Sequence, residues 1–386
     1  MSSLPPDPFG PASATGGAPQ SWPQQPGGHG GALPERGPGW GPQQQSAGGP
    51  PRPSNGGGKV KWLVGGLAVV LAIALVVVIT VLVVKPDTGT PTGPSNPGGD
   101  GSASEFASAN DTGPITIITE DPSCAAWAPI QSTLAEVSHK GWSDRDPSIP
   151  ASVWNADQRA QYQAVAAAMR SAADQTVALV KLARHRAMRE LYEQFITYAR
   201  AYADTIPTYT AADDSFALTA NTITGALDSI CAAIGYGSAA ARAPLVAGGE
   251  LPVEVGIEPE LSNPSRFMTS PDPICPDWKT ALDQFAAQTA AWSEMKSDIP
   301  ASQWSPEEKG IVDAVQPLMH ESADMLEGLG RRSENATVQD FATLAAQYRR
   351  AYALSLPSYR PADKYLAVAA LRATGVILGA CKASET

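Results

Sequence analysis

The latter part of this chain is written twice, and any fold proposed for it must accommodate that duplication. Ile149-Pro-Ala-Ser-Val-Trp154 recurs as Ile299-Pro-Ala-Ser-Gln-Trp304, an offset of 150 residues. Tyr198, Arg200, Ala201, Tyr202 and Ala203 return as Tyr348, Arg350, Ala351, Tyr352 and Ala353, and Thr224-Gly225 returns as Thr374-Gly375. Near the start of each copy the offset is 151, carrying Cys124 and Trp127 to Cys275 and Trp278, while Cys231 maps to Cys381 at 150. Each copy therefore begins and ends on a cysteine.

The most economical pairing of the four cysteines is within copies, Cys124 with Cys231 and Cys275 with Cys381. Each bridge would close a loop of roughly 100 residues, for which the chain-entropy model gives about 4–5 kcal/mol before strain is subtracted. Four cysteines allow three connectivities, so pairing between copies stays open. Zinc is the other reading. It calls for closely spaced pairs, whereas the nearest cysteines here are more than 40 residues apart.

Within a copy the apolar residues recur at three and four positions, as in NADQRAQYQAVAAAMRSAADQTVALVKLA and RAMRELYEQFITYARAYADTI. Asn155 precedes Gln158 and Ser305 precedes Glu308 by three residues, two helix-start signatures at equivalent places. The third helix of each copy is expected to stop at Pro207 or Pro357. Pro317 falls inside the second helix of copy two alone, where a kink is expected. Each copy thus reads as a four-helix unit. Ile115–Thr119 is the one stretch that reads as extended.

Ahead of the duplication lies Trp62–Val84, about 23 apolar residues without a charge, enough to cross a hydrocarbon core of roughly 30 Å. Arg36, Arg52, Lys59 and Lys61 precede it, and only Lys85 follows closely. This bias places the N-terminus in the cytoplasm and the bulk of the chain outside. The cysteines, all beyond the run, imply an oxidising exterior and so the same orientation. Residues 1–58 are Pro-, Gly- and Gln-rich and are expected to be disordered, either as a plain tail or as a proline-rich ligand with Trp22 and Trp40 as contacts.

The expected architecture is all-α: a tail (1–58), one transmembrane helix (59–85), a linker (86–120), and two tandem disulfide-stapled four-helix units. The units span 121–236 and 273–386, joined by an irregular segment, 237–272, that either drapes over both or acts as a hinge.

Residues 105–386 carry 22 Lys and Arg against 34 Asp and Glu, a net charge of −12, which argues against a nucleic-acid partner. No nucleophile elbow, phosphate loop, dinucleotide fingerprint or zinc-protease motif is present. Glu136-Val-Ser-His139 is a lone Glu-x-x-His where a di-iron bundle needs two, and its counterpart falls on Ala286 or Ala287. No cofactor or metal is expected, and the chain reads as non-enzymatic.

Two sets of residues stand out beyond the framework. Trp154, Tyr198, Tyr202 and Tyr209 recur at 150 as Trp304, Tyr348, Tyr352 and Tyr359, and are either a platform for a sugar ring or core packing, the reading favoured by their presence in both copies. Lys181, Arg184, Arg186 and Arg189 form a basic cluster in copy one, where copy two has Arg331, Arg332 and Glu334. Such a run is more often a solvated face. If it acts, it meets an acidic envelope polymer or a partner protein.

A Pro/Gly/Gln-rich tail, one Val/Ala-rich span and an acidic, Ala-rich ectodomain with paired cysteines resemble the uncharacterised single-pass envelope proteins of mycobacteria and related actinobacteria. The resemblance rests on composition and implies a location in the cell envelope. The functional expectation is an envelope protein whose duplicated ectodomain binds another envelope protein. The alternative is a sensor or carrier ectodomain holding a glycan or lipid.

Overall fold

A computed structural model of the chain describes residues 106–252, 255, 260 and 262–386. The expected tail, the apolar span, the first part of the 86–120 linker, and Glu254 and Glu258 lie outside the described residues.

Among the described residues the fold is all-helical, with no strand. Copy one contributes α1 (Ser123–Ser138), α2 (Ala156–Leu182), α3 (Arg186–Thr205) and α4 (Asp214–Gly235), followed by a short α5 (Ser238–Arg242). Copy two contributes α6 (Cys275–Gln288), the single turn α7 (Ala290–Ser293), α8 (Pro306–Gly330), α9 (Ala336–Ser355) and α10 (Lys364–Ala383).

Local chemistry sets the helix ends. The Asn155 side chain accepts from Gln158 N at 2.8 Å, and the Gln158 side chain accepts from Asn155 N at 3.0 Å. Ser305 and Glu308 make the same reciprocal pair at 3.2 and 2.8 Å, so each long helix starts with two otherwise orphaned N–H groups satisfied. Helices α3 and α9 end just before Pro207 and Pro357, where the chain tightens into the 3-10 turns Ile206–Thr208 and Leu356–Ser358. Helix α8 continues through Pro317 without a break.

The repeated Ile-Pro-Ala-Ser-x-Trp motif acts as a clamp ahead of α2 and α8. Trp154 Nε1 donates to Ile149 O at 2.9 Å, and Trp304 Nε1 donates to Ile299 O at 3.1 Å. Ala151 N and Ala301 N donate to Tyr209 O and Tyr359 O, tying each clamp to the turn after the third helix. The disulfides are Cys124–Cys231 and Cys275–Cys381, which join the first helix of each copy to the last.

The copies are not separate bundles strung on a linker. The most extensive helix pairing among the described residues is between α4 and α10, one from each copy. They cross antiparallel. Gly225 of α4 faces the Arg372 side chain, and a Cβ at Gly379 of α10 would lie 2.6 Å from Thr219 Oγ1 and 3.3 Å from Thr219 Cα. Both helices are long and apolar enough by composition to cross a membrane, yet over half of α4 and most of α10 are buried inside the protein.

The end of the expected 86–120 linker and the inter-repeat segment are both folded against the helices. Residues 106–121 pack down through Ala107 N, which donates to Lys181 O at 3.0 Å, and through buried Ile115, Ile117 and Ile118, which belong to no helix or strand. The inter-repeat segment spans both copies rather than hinging them. Thr197 and Arg200 of α3 donate to Pro264 O and Ser262 O, and Asn335 at the start of α9 donates to Phe267 O. The Phe267 ring sits edge-on to both Tyr198 and Phe341.

Candidate functional site

The basic cluster expected to face solvent is divided by the fold. Lys181 and Arg184 are exposed, whereas Arg186 is 0% and Arg189 2% exposed. Arg186, Arg189, Glu190 and Glu193 share one face of α3 at three- and four-residue spacing, and that face is turned inward. Arg186 holds Asp340 of α9 through Nε at 2.6 Å and Nη2 at 3.1 Å, a two-pronged pair between copies. It also donates to Asp111 O and Gly113 O, clasping the segment before α1. Arg189 pairs with Glu193 at 2.8 Å and lies over the Phe106 ring. Arg184 reaches out to Glu120 at 3.3 Å. Two of the four expected interaction residues are therefore internal struts. The charge was legible in the sequence and the direction it faces was not.

Glu190 and Asp340 are equivalent under the 150-residue offset, and both are buried. Burial first, then the neighbouring Asp340 charge, pushes the Glu190 carboxyl well above the usual carboxylate range, with Arg189 opposing. Neither Glu190 oxygen has a hydrogen-bond partner among the described residues.

The aromatic set is core. Tyr198, Tyr202, Tyr209, Tyr348, Tyr352 and Tyr359 are 0–3% exposed, so none offers a face for a sugar. Trp142 and Trp292 donate to Tyr202 and Tyr352 hydroxyls at 3.0 and 3.2 Å, the same contact in each copy.

A site that the sequence did not single out lies in copy two. A cavity of about 30 Å³ is bounded by Phe285, Thr289, Trp292, Met319, Tyr352 and the side chain of Arg349 on α9. Arg349 is 3% exposed, and burial pulls its guanidinium down to about 9, still cationic at neutral pH. Its carbon lies 4.2 Å from the Phe285 ring centre. Among the described residues its guanidinium donates to Ser322 Oγ, and burial rather than a neighbouring carboxylate governs its titration. By contrast Arg145, beside the matching tryptophan of copy one, is paired with Asp214. The sequence signal was available: 349 is Arg where the equivalent 199 is Ala, a difference confined to one copy.

No group of three His, Cys, Asp or Glu among the described residues is placed to hold a metal. His139, the end of the lone Glu-x-x-His, is the C-cap of α1.

The geometry defines a class: an all-helical, internally duplicated protein closed by two intra-copy disulfides. The chain belongs to the family described as mycobacterial ESX-1 associated protein, which matches residues 106–385. It is 46% identical over 336 residues to an uncharacterized protein of Mycolicibacterium smegmatis (strain MKD8), covering 87% of this chain and 89% of that one. No solved structure matches it.

Proposed function

We propose that this chain is a membrane-tethered, non-enzymatic accessory of a mycobacterial protein-secretion apparatus, and that its duplicated ectodomain binds a protein of the envelope. Membership of a family named for association with ESX-1 carries the reading. Under it, Trp62–Val84 is a single-pass anchor, the N-terminal tail is cytoplasmic, and 121–236 and 273–386 are tandem four-helix units outside the membrane. Two disulfides suit a compartment beyond the cytoplasm. The acidic surface suits protein partners over nucleic acid.

The exposed remnant of the basic cluster, Lys181 and Arg184 with Leu182 between them at 46% exposed, is the proposed contact patch. Charge reversal at both positions tests it. Lys181→Glu with Arg184→Glu should abolish recovery of a secretion-apparatus protein after crosslinking in intact cells, with the protein's own abundance unchanged. Unchanged recovery rules the patch out, and recovery of no specific protein by the unsubstituted chain rules out the reading.

The second reading, an ectodomain that holds a glycan or lipid, needs a cavity among the helices, and the Arg349 cavity does not meet that need. Its volume admits neither a sugar ring nor an acyl chain, since an apolar cavity that takes up benzene measures roughly 150 Å³.

A further inference from the structure

Five charged side chains are shut away together where the copies meet. Arg186, Arg189, Glu190 and Glu193 of α3 and Asp340 of α9 are each 0–3% exposed. Fully ionised, the group would hold two positive charges against three negative ones. Its pairing is uneven. Asp340 accepts from Arg186 at 2.6 and 3.1 Å, and Glu193 accepts from Arg189 at 2.8 Å. Neither Glu190 oxygen accepts a hydrogen bond among the described residues, and Arg189 Nη2 stands 3.7 Å from one of them. The repeat itself produces the imbalance. Glu190 and Asp340 are equivalent positions, while Arg186, Arg189 and Glu193 correspond to Ala336, Gln339 and Thr343. At these positions copy two contributes an acid and no cation.

The charged groups facing Glu190 are Arg186, Arg189 and Glu193 on its own helix and Asp340 on α9. The segment before α1 closes over the group, with the Phe106 ring on Arg189 and Asp111 at the rim. Asp111 accepts from Arg186 N at 2.6 Å and lies 3.8 Å from His185, and exposed Lys181 holds the segment through its carbonyl. An ionised carboxylate without a donor, out of water and beside a like charge, is penalised on both counts, and a proton removes both penalties. We propose that Glu190 is held as the neutral acid in the closed protein, and that losing this proton loosens α3 from α9 and from residues 106–113. The junction between the copies is then a pH-sensitive lock, tighter in acid and weaker toward base. Unfolded glutamate titrates at about 4.3, so above that value the folded chain keeps a proton that the unfolded chain gives up, and stability falls as pH rises. This goes beyond the protein-partner reading and does not depend on it.

The test compares the full chain in detergent with Glu190→Gln, which is close in shape and neutral at every pH. Denaturant unfolding and hydrogen exchange are read from about pH 5.5 to about pH 8. The comparison cancels the pH dependence of Asp228 and of every other acid that both chains share. Across that range the folded-to-unfolded ratio of the natural chain, relative to the variant, is expected to fall at least roughly tenfold. Amides of residues 106–113 and of the start of α9 should exchange progressively faster in the natural chain than in the variant at the same pH. Should Glu190→Gln fail to fold, infrared titration of Asp228→Asn carries the test. Its spectrum should keep the carbonyl stretch of a protonated carboxylic acid at about pH 7. A ratio that is constant or rises with pH, equal exchange in the two chains at every pH, or absence of that carbonyl band would each overturn the assignment.

Discussion

Arg186 is the residue through which the two copies and the segment before α1 are held together. Its guanidinium is fully buried between Asp340, Asp111 O and Gly113 O. Arg186→Met removes the cation and leaves Asp340 and the already strained Glu190 without it. The expected cost is about 3–5 kcal/mol in urea unfolding, much of it recovered by adding Asp340→Leu, because replacing both partners of a buried pair is far milder than removing one. Asp228 makes a second prediction. Burial pushes its carboxyl up to about 6, against the Trp127 hydrogen bond at 2.7 Å and the Arg372 charge. An unfolded aspartate titrates near 3.9 and binds fewer protons between those values, so this site adds stability as pH falls from 7 toward 4 and loses it as pH rises through 6. Relative to Asp228→Asn, the natural chain should gain about 2 kcal/mol between pH 7 and pH 4 in denaturant titrations at each pH. Neither position was legible as a site in the sequence. A run of Arg and Glu at three- and four-residue spacing marks one helix face, but only the partner helix decides whether that face is solvated. Arg349 was legible in principle, as a charge present in one copy alone.

Helix boundaries were the best-read elements, because caps and prolines act locally. Asn155 and Ser305 start α2 and α8, and Pro207 and Pro357 stop α3 and α9, as the sequence implied. Asn155→Ala and Ser305→Ala should each cost about 1 kcal/mol, nearly additively, since they cap different helices. The pairing of α4 with α10 was not legible, because the copies present similar apolar faces and sequence periodicity does not say which face meets which. The close approach at Gly379 supplies its test. Gly379→Val puts side-chain atoms against Thr219, and is expected to cost about 1–3 kcal/mol by overpacking, whereas Gly310→Ala, at an open position inside α8, is expected to stabilise by roughly 0.5–1 kcal/mol. Equal effects at the two glycines would mean that α4 and α10 do not cross so closely.

At the scale of the molecule, the duplication and the cysteine framework were read from the chain, and the described fold pairs the cysteines within copies. Replacing Cys124 and Cys231 by serine should destabilise by about 4–5 kcal/mol in the chain-entropy account, with the second bridge at Cys275–Cys381 left in place, as judged by unfolding under oxidising conditions. What the sequence did not reveal is that residues 106–121 are part of the folded body rather than a spacer; for the inter-repeat segment it left draping and hinging open, and contacts to both copies favour draping. The contacts of both segments are mostly long-range hydrogen bonds between side chains and the main chain, which leave no local pattern. The functional account rests on the family and on the placement of an acidic, disulfide-closed body beyond an apolar run. Its central claim is protein association at the envelope. The direct measurement is a photo-crosslinking residue at Leu182, and at exposed Val153 as a control, in the intact cells of a mycobacterium carrying the ESX-1 apparatus. The account predicts that irradiation at 182 captures a component of that apparatus and that irradiation at 153 does not. Capture of no specific protein from 182, or the same proteins from both positions, would contradict it.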